Sequence, residues 1–156
     1  MDTRRVGGER PRVELYLRSL APGAGRDEQD RVVERLQRLD GSDCVRALEV
    51  HVCGTCVCSS TPAAETDPGQ FLLSRFDQFE SWADDHGRSL VGFRRQCVDS
   101  SLAGGMVTGV RFPRMTVAEF VGGDLRFVAP SRGSTTVTVT DRVDELASTD
   151  RSATHD

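Results

Sequence analysis

The chain contains no lysine: all 20 basic residues are arginine, against 24 acidic residues and a net charge of −4. Replacing every lysine by arginine fits a GC-rich genome. An acidic balance with short polar side chains fits a salt-loving host, where high ionic strength screens repulsion between surface carboxylates. A chain of negative net charge has no general affinity for polyanions, so any contact with nucleic acid must be local. No apolar run approaches the roughly 18 residues that cross a membrane. The opening stretch MDTRRVGGERPR carries charge but no apolar segment of a secretory signal. A soluble, cytoplasmic protein is therefore expected. Phosphate-loop and G-x-G-x-x-G patterns are missing, and Gly104-Gly105 reads as turn punctuation. Histidine is scarce and scattered, at His51, His86 and His155. With no nucleophile, base and orienting group visible together, no enzyme is expected.

What is present is a periodic apolar pattern. In 156 residues, 37 % of them apolar, one domain with a real core is expected. Residues 1–10 and 148–156 lack that pattern and read as flexible tails around a single domain at 11–147. RVELYLRSL alternates as a strand, with Val13, Leu15 and Leu17 on one face. A helix then starts near Asp27, carries Val32, Val33, Leu36 and Leu39 as its stripe, and stops at Gly41. LEVHV begins an inner strand, with Leu48, Val50 and Val52 facing the core. Asp67-Pro68-Gly69-Gln70 is a helix start, and the helix buries Leu72, Phe76, Phe79 and Ala83 before ending at His86-Gly87. SLVGFRRQCV reads as a strand, as does MVTGVRFPRMTVAEF, with Pro113 at a bulge or an edge. Gly122-Gly123-Asp124 turns into LRFVAP, TTVTV forms a last strand, and Thr140 caps a short C-terminal helix with Val143 and Leu146. The sum is an α+β domain of order β-α-β-α-β-β-β, with two helices packed on a mixed or antiparallel sheet.

Two features suggest chemistry. HVCGTCVCSS holds Cys53, Cys56 and Cys58, three of five cysteines. A Cys-x-x-Cys turn can hold zinc, and His51 and Cys58 could complete a site with Cys53 and Cys56. Strand geometry opposes this, because Cys53 points away from Cys56 and Cys58 while those two continue an apolar face. Free cysteine is commonly core filler. No second Cys-x-x-Cys exists, and no helix follows closely enough to lower a thiol pKa. Buried thiols are the first reading, with no cofactor; a metal or thiol sensor using zinc is the alternative.

The second feature is charge segregation. Residues 27–90 carry 13 acids and 6 arginines, whereas residues 91–132 carry 6 arginines and 3 acids. Arg94, Arg95, Arg111, Arg114 and Arg126 thus mark a candidate surface for nucleic acid or an acidic partner. Arginines that merely alternate with core residues on half-exposed strands give the same count. Arg31, Arg35 and Arg38 on the first helix form another candidate stripe.

VELYLRSL, RVVERLQRL, LEVHV, FESWADDHG, FRRQCV and AEF-x-G-G-D-L-x-x-VAP together resemble a largely uncharacterised group of small haloarchaeal proteins labelled helix-turn-helix domain proteins. The resemblance spans roughly residues 12–147 and agrees with the lysine-free, acidic composition. It implies DNA binding and transcription regulation, but no metal site and no transferable functional residues. A helix-turn-helix needs two helices joined by about 3–4 residues, and here a strand and a loop separate them. The expectation is a non-enzymatic regulatory or interaction domain with DNA or another protein as partner, no membrane association, and room for homo-oligomers.

Overall fold

The computed structural model describes residues 10–20, 23, 25–53, 57–58, 67–100 and 105–155. The first strand, β1 (Arg12–Leu17), shows how the molecule is layered: every side chain from Val13 to Leu17 is buried, polar and apolar alike. Successive strand side chains point to opposite faces. Burial of all five therefore requires cover on both sides of the sheet.

That sheet has the order β2-β1-β7-β8, formed with β2 (Ala47–Val52), β7 (Met115–Val121) and β8 (Asp124–Ala129). β1 and β2 run parallel, and the crossover between them contains α1 (Arg26–Leu39). β7 lies antiparallel to both β1 and β8. Gly122 and Gly123 close the β7–β8 hairpin with φ of 60° and 89°, which a two-residue hairpin turn favours and side chains resist. The fold is α+β, as the order of elements implied.

One face of the sheet carries Val13, Leu15, Leu17, Met115 and Val117. Over it pack Val32, Leu36 and Leu39 of α1 with Val143 and Leu146 of α3 (Val139–His155). Val32, Leu36 and Leu39 recur at helical spacing, so they form one stripe. The other face carries Tyr16, Ala118, Phe120 and Val128. Over it pack Leu72, Phe76, Phe79, Trp82 and Ala83 of α2 (Asp67–Asp85). Burying each large apolar side chain contributes about 1.5–3 kcal/mol.

Two smaller sheets complete the described structure. One has β10 (Thr136–Val137), β9 (Ser131–Arg132) and β4 (Ser89–Leu90), in that order. The other has β3 (Val57–Cys58), β6 (Gly105–Arg111) and β5 (Arg94–Ser100).

Four local expectations change. SLVGFRRQCV is not one strand: it breaks at Val91-Gly92-Phe93, where Gly92 has φ of 82°. MVTGVRFPRMTVAEF divides around Pro113 into β6 and β7, which belong to different sheets, because proline cannot donate to a ladder. LEVHV is an edge strand, not an inner one; Val50 and Val52 are 44 % and 52 % exposed. The last helix is capped by Thr138, not Thr140. The Thr138 hydroxyl accepts from the Asp141 N–H and the Asp141 carboxylate accepts from the Thr138 N–H, both at 3.1 Å. Among the described residues, no helix is long and apolar enough to cross a membrane.

Candidate nucleic-acid interface

Arg18 follows β1 directly, and its backbone N–H donates to the Arg114 carbonyl at 3.0 Å. This bond ties the C-terminal end of β1 to the Phe112-Pro113-Arg114 link between β6 and β7. Arg111 is the last residue of β6. The three arginines therefore meet at one end of the main sheet. Burial, followed by the positive fields of Arg111 and Arg114, lowers the Arg18 guanidinium from its ordinary range. Nε of Arg18 and Nε of Arg111 are buried with no hydrogen-bond partner. Among the described residues, no carboxylate pairs with Arg18, Arg111 or Arg114. Close like charges and orphaned donors both cost free energy, and an anion relieves both.

Gly25 helps shape this corner. It precedes α1 with φ of 83°, and a side chain there would overlap the Arg114 guanidinium. Glycine thus satisfies a left-handed backbone and a close approach at once.

The five arginines proposed from sequence divide. Arg94 is exposed on β5 and lies opposite Arg111 in the β5–β6 register, so it shares that surface. Arg111 and Arg114 belong to the corner with Arg18. Arg95 pairs with Glu80 at 2.5 Å and lies over the Phe76 ring at 5.0 Å, so its charge is locally neutralised. Arg126 is exposed on β8, where the β7–β8 register slips and leaves it opposite no residue. β8 is the edge of the sheet away from β2. On α1, Arg35 pairs with Asp144 of α3, and Arg38 lies 3.9 Å from Glu34.

The cysteine readings are partly placed. Cys53 is buried; its thiol donates to the Leu17 carbonyl at 3.4 Å, and burial pushes it up to about 11. It packs on the α2 side of the sheet, while Leu48 packs on the α1 side. Cys58 lies on β3, and Gly54, Thr55 and Cys56 lie outside the described residues. His51 stacks on Tyr16 with 5.3 Å between ring centroids, and its Nε2 is 3.4 Å from Glu49 Oε1 without hydrogen-bond geometry.

A polar cluster not expected from sequence lies beneath His51. Glu14 is fully buried on β1. Its two oxygens accept from Arg75 Nε and Nη2, both at 2.7 Å, and it also accepts from Tyr16 and Arg12. Burial would raise the Glu14 carboxyl, but these donors outweigh it and hold the group at about 2. Burial and the adjacent Glu14 push the Tyr16 phenol up. Ligand atoms of Glu14, Glu49 and His51 converge within 4.8 Å, a spacing that suits a cation. Arg75 and Arg12 already supply that positive charge, so the cluster is a salt-bridged anchor.

Arg18 and Glu14 were missed for different reasons. Arg18 lies far in sequence from the arginine-rich segment it joins. Glu14 read as the solvent side of an alternating strand. Its partner did carry a signal: Arg75 sits four residues from both Phe71 and Phe79, within the apolar stripe of α2.

A family model described as a helix-turn-helix domain matches residues 7–151. Neither the curated proteins nor the solved structures contain a significant match. Among the described residues, no two helices are joined by a short turn. α1 and α2 are separated by β2 and β3, and α2 and α3 by seven strands.

Proposed function

This chain belongs to the helix-turn-helix domain family, and from that membership we propose that it is a non-enzymatic regulatory domain that binds DNA through phosphate contacts. The observation that supports this most is the corner of Arg18, Arg111 and Arg114, unpaired by carboxylates among the described residues, in a chain of net charge −4. Exposed Arg94 extends the same surface. Guanidinium groups suit phosphate oxygens, since a planar fork can donate two parallel bonds. Such contacts position a protein on a duplex and carry no sequence information themselves. The wide separation of the described helices disfavours a recognition helix followed by a short turn as the contacting unit.

The alternative is a metal or thiol sensor built on Cys53, Cys56, Cys58 and His51. Cys53 gives it little support, because its buried thiol faces a backbone carbonyl and its pKa is raised. A zinc ligand must ionise readily.

Retention of genomic DNA fragments at high salt, beside an acidic control protein, tests the proposal. The wild type is expected to retain DNA, and Arg18→Ala/Arg111→Ala/Arg114→Ala to lose most retention. No retention above the control by the wild type contradicts it. Zinc found near one equivalent per chain would favour the sensor instead.

A further inference from the structure

The two edges of the main sheet are managed differently. At β8 the ladder carries a bulge at Arg126, and Trp82 Nε1 donates to the Arg126 carbonyl at 3.1 Å, so α2 covers this edge. At β2 there is no bulge, and all six residues stay in register with β1. Cys53 N–H bonds to Leu17, so the backbone groups of Glu49 and His51 face β1 by alternation. Those of Leu48, Val50 and Val52 face outward. Asp40 takes the Leu48 N–H at 3.0 Å, so the outward groups open to a partner strand are the Leu48 carbonyl and both groups of Val50 and Val52. Among the described residues, no strand pairs with the outer side of β2. Exposed edges are normally blunted by charge, proline or a bulge. Here the outermost residues of one face are the exposed valines Val50 and Val52.

The sequence of this edge, Leu48-Glu49-Val50-His51-Val52, is complementary to its own reverse. Laid antiparallel about Val50, Val50 meets Val50 of the partner subunit and Leu48 meets Val52 of the partner subunit. Glu49 then lies opposite His51 of the partner subunit, twice by symmetry. Because Val50 turns its N–H outward, the central pair is hydrogen-bonded in both directions, and Glu49 and His51 occupy the closer, non-hydrogen-bonded positions. A shift of one residue would place Glu49 against valine and leave Glu49 and His51 without each other. We propose that β2 is the interface for a second copy of this chain, which joins two four-stranded sheets into one continuous eight-stranded sheet about a twofold axis at Val50.

The same residue set is contributed by both copies, as a twofold contact requires. The apolar pairs lie on the α1 side and the Glu49–His51 pairs on the α2 side. Glu49 already lies 3.3 Å from Arg12 of its own chain, so the carboxylate approaches the partner's His51 partly neutralised. The proposal does not depend on DNA binding.

Sedimentation equilibrium of the full chain, over roughly micromolar to hundred-micromolar concentration, tests it. The wild type is expected to form a reversible dimer. Val50→Asp places like charges face to face and is expected to weaken the dimer roughly a hundredfold with circular dichroism unchanged. Glu49→Arg is expected to weaken it roughly tenfold, and E49R/H51E to restore it by reversing the pair. Mild oxidation of Val50→Cys is expected to link two chains, with the wild type as control for the native thiols. A wild type that stays monomeric overturns the proposal. So does a dimer that Val50→Asp leaves unchanged. A dimer that E49R/H51E fails to restore, or that Val50→Cys does not link, overturns the pairing about Val50. If Val50→Asp does not fold, the charge-reversal pair still decides.

Discussion

The two faces of the main sheet carry different cores joined by the same device. The α1/α3 face is largely aliphatic, with Val13, Leu15, Leu17, Val32 and Leu36. The α2 face is aromatic, with Tyr16, Phe76, Phe79, Trp82, Phe112 and Phe120. Each face also holds one buried carboxylate gripped at both oxygens by an arginine from the covering helix. On the α2 side this is Glu14 with Arg75. On the α3 side it is Glu119 with Arg142, whose Nη2 donates at 2.8 Å and whose Nε donates to the second oxygen. The difference lies in the surroundings. Glu14 has two further donors, Tyr16 and Arg12, and Arg75 lies between the Phe71 and Phe120 rings at 4.6 and 4.7 Å. Arg142 lies over Phe127 at 4.5 Å but also reaches exposed Glu145. The carboxylate of the aromatic layer thus has three side-chain donors, Arg75, Tyr16 and Arg12, while that of the aliphatic layer is held by Arg142, which is shared with Glu145.

Removing one carboxylate gives the largest expected contrast. Glu14→Ala leaves Arg75 buried without its anion and should cost about 3–5 kcal/mol in urea unfolding. Glu119→Ala should cost less, about 2 kcal/mol, because Arg142 keeps a carboxylate partner in Glu145 whereas Arg75 keeps only the neutral Gln78. Equal costs would break the distinction between the faces. Glu14→Leu with Arg75→Leu should recover most of the loss, since no buried charge is left unpaired.

Acid titration sharpens the same contrast. Glu14 titrates at about 2 in the folded chain, below its ordinary value of 4.5. Its contribution is therefore complete above about 4.5 and lost as pH falls toward 2, a change of roughly 3 kcal/mol. Wild type and Glu14→Gln should converge in stability across that window. A constant gap between them would show that the carboxylate is not held ionised by its partners.

Gly25→Ala probes the corner beyond both layers. The left-handed backbone should make it cost about 1–2 kcal/mol. Displacement of Arg114 should also weaken DNA retention. Loss of stability with unchanged retention would detach Gly25 from the arginine corner. The smallest effect concerns Cys53, which should resist alkylation in the native chain at neutral pH and react on unfolding.

Much of the layering was legible in sequence, through Val13, Leu15 and Leu17 on one strand and the Phe76–Phe79–Ala83 stripe on one helix. The second face of β1 was not, because Glu14 and Tyr16 look solvent-facing until Arg75 supplies their partner. A buried ion pair is a relation between distant residues, and alternation sees only one strand at a time. The breaks at Gly92 and Pro113 escaped for a related reason: continuous apolar patterning does not show that the two halves enter different sheets. LEVHV shows the opposite error, since apolar alternation predicts an inner strand equally well for an edge. The arginine surface was partly visible from counts between residues 91 and 132, yet its corner is assembled by Arg18, which only the Arg18–Arg114 backbone bond brings into place.

The most direct test of the functional proposal is the salt dependence of binding to a labelled duplex, measured by fluorescence anisotropy for the wild type and the Arg18/Arg111/Arg114 alanine variant. Each phosphate contact contributes about 0.9 to the slope of log K against log salt concentration. The wild type is predicted to show a slope of about −3 or steeper, flattened by about 2–3 in the triple variant. An identical slope and affinity in the two proteins would contradict the assignment of these arginines to the DNA backbone.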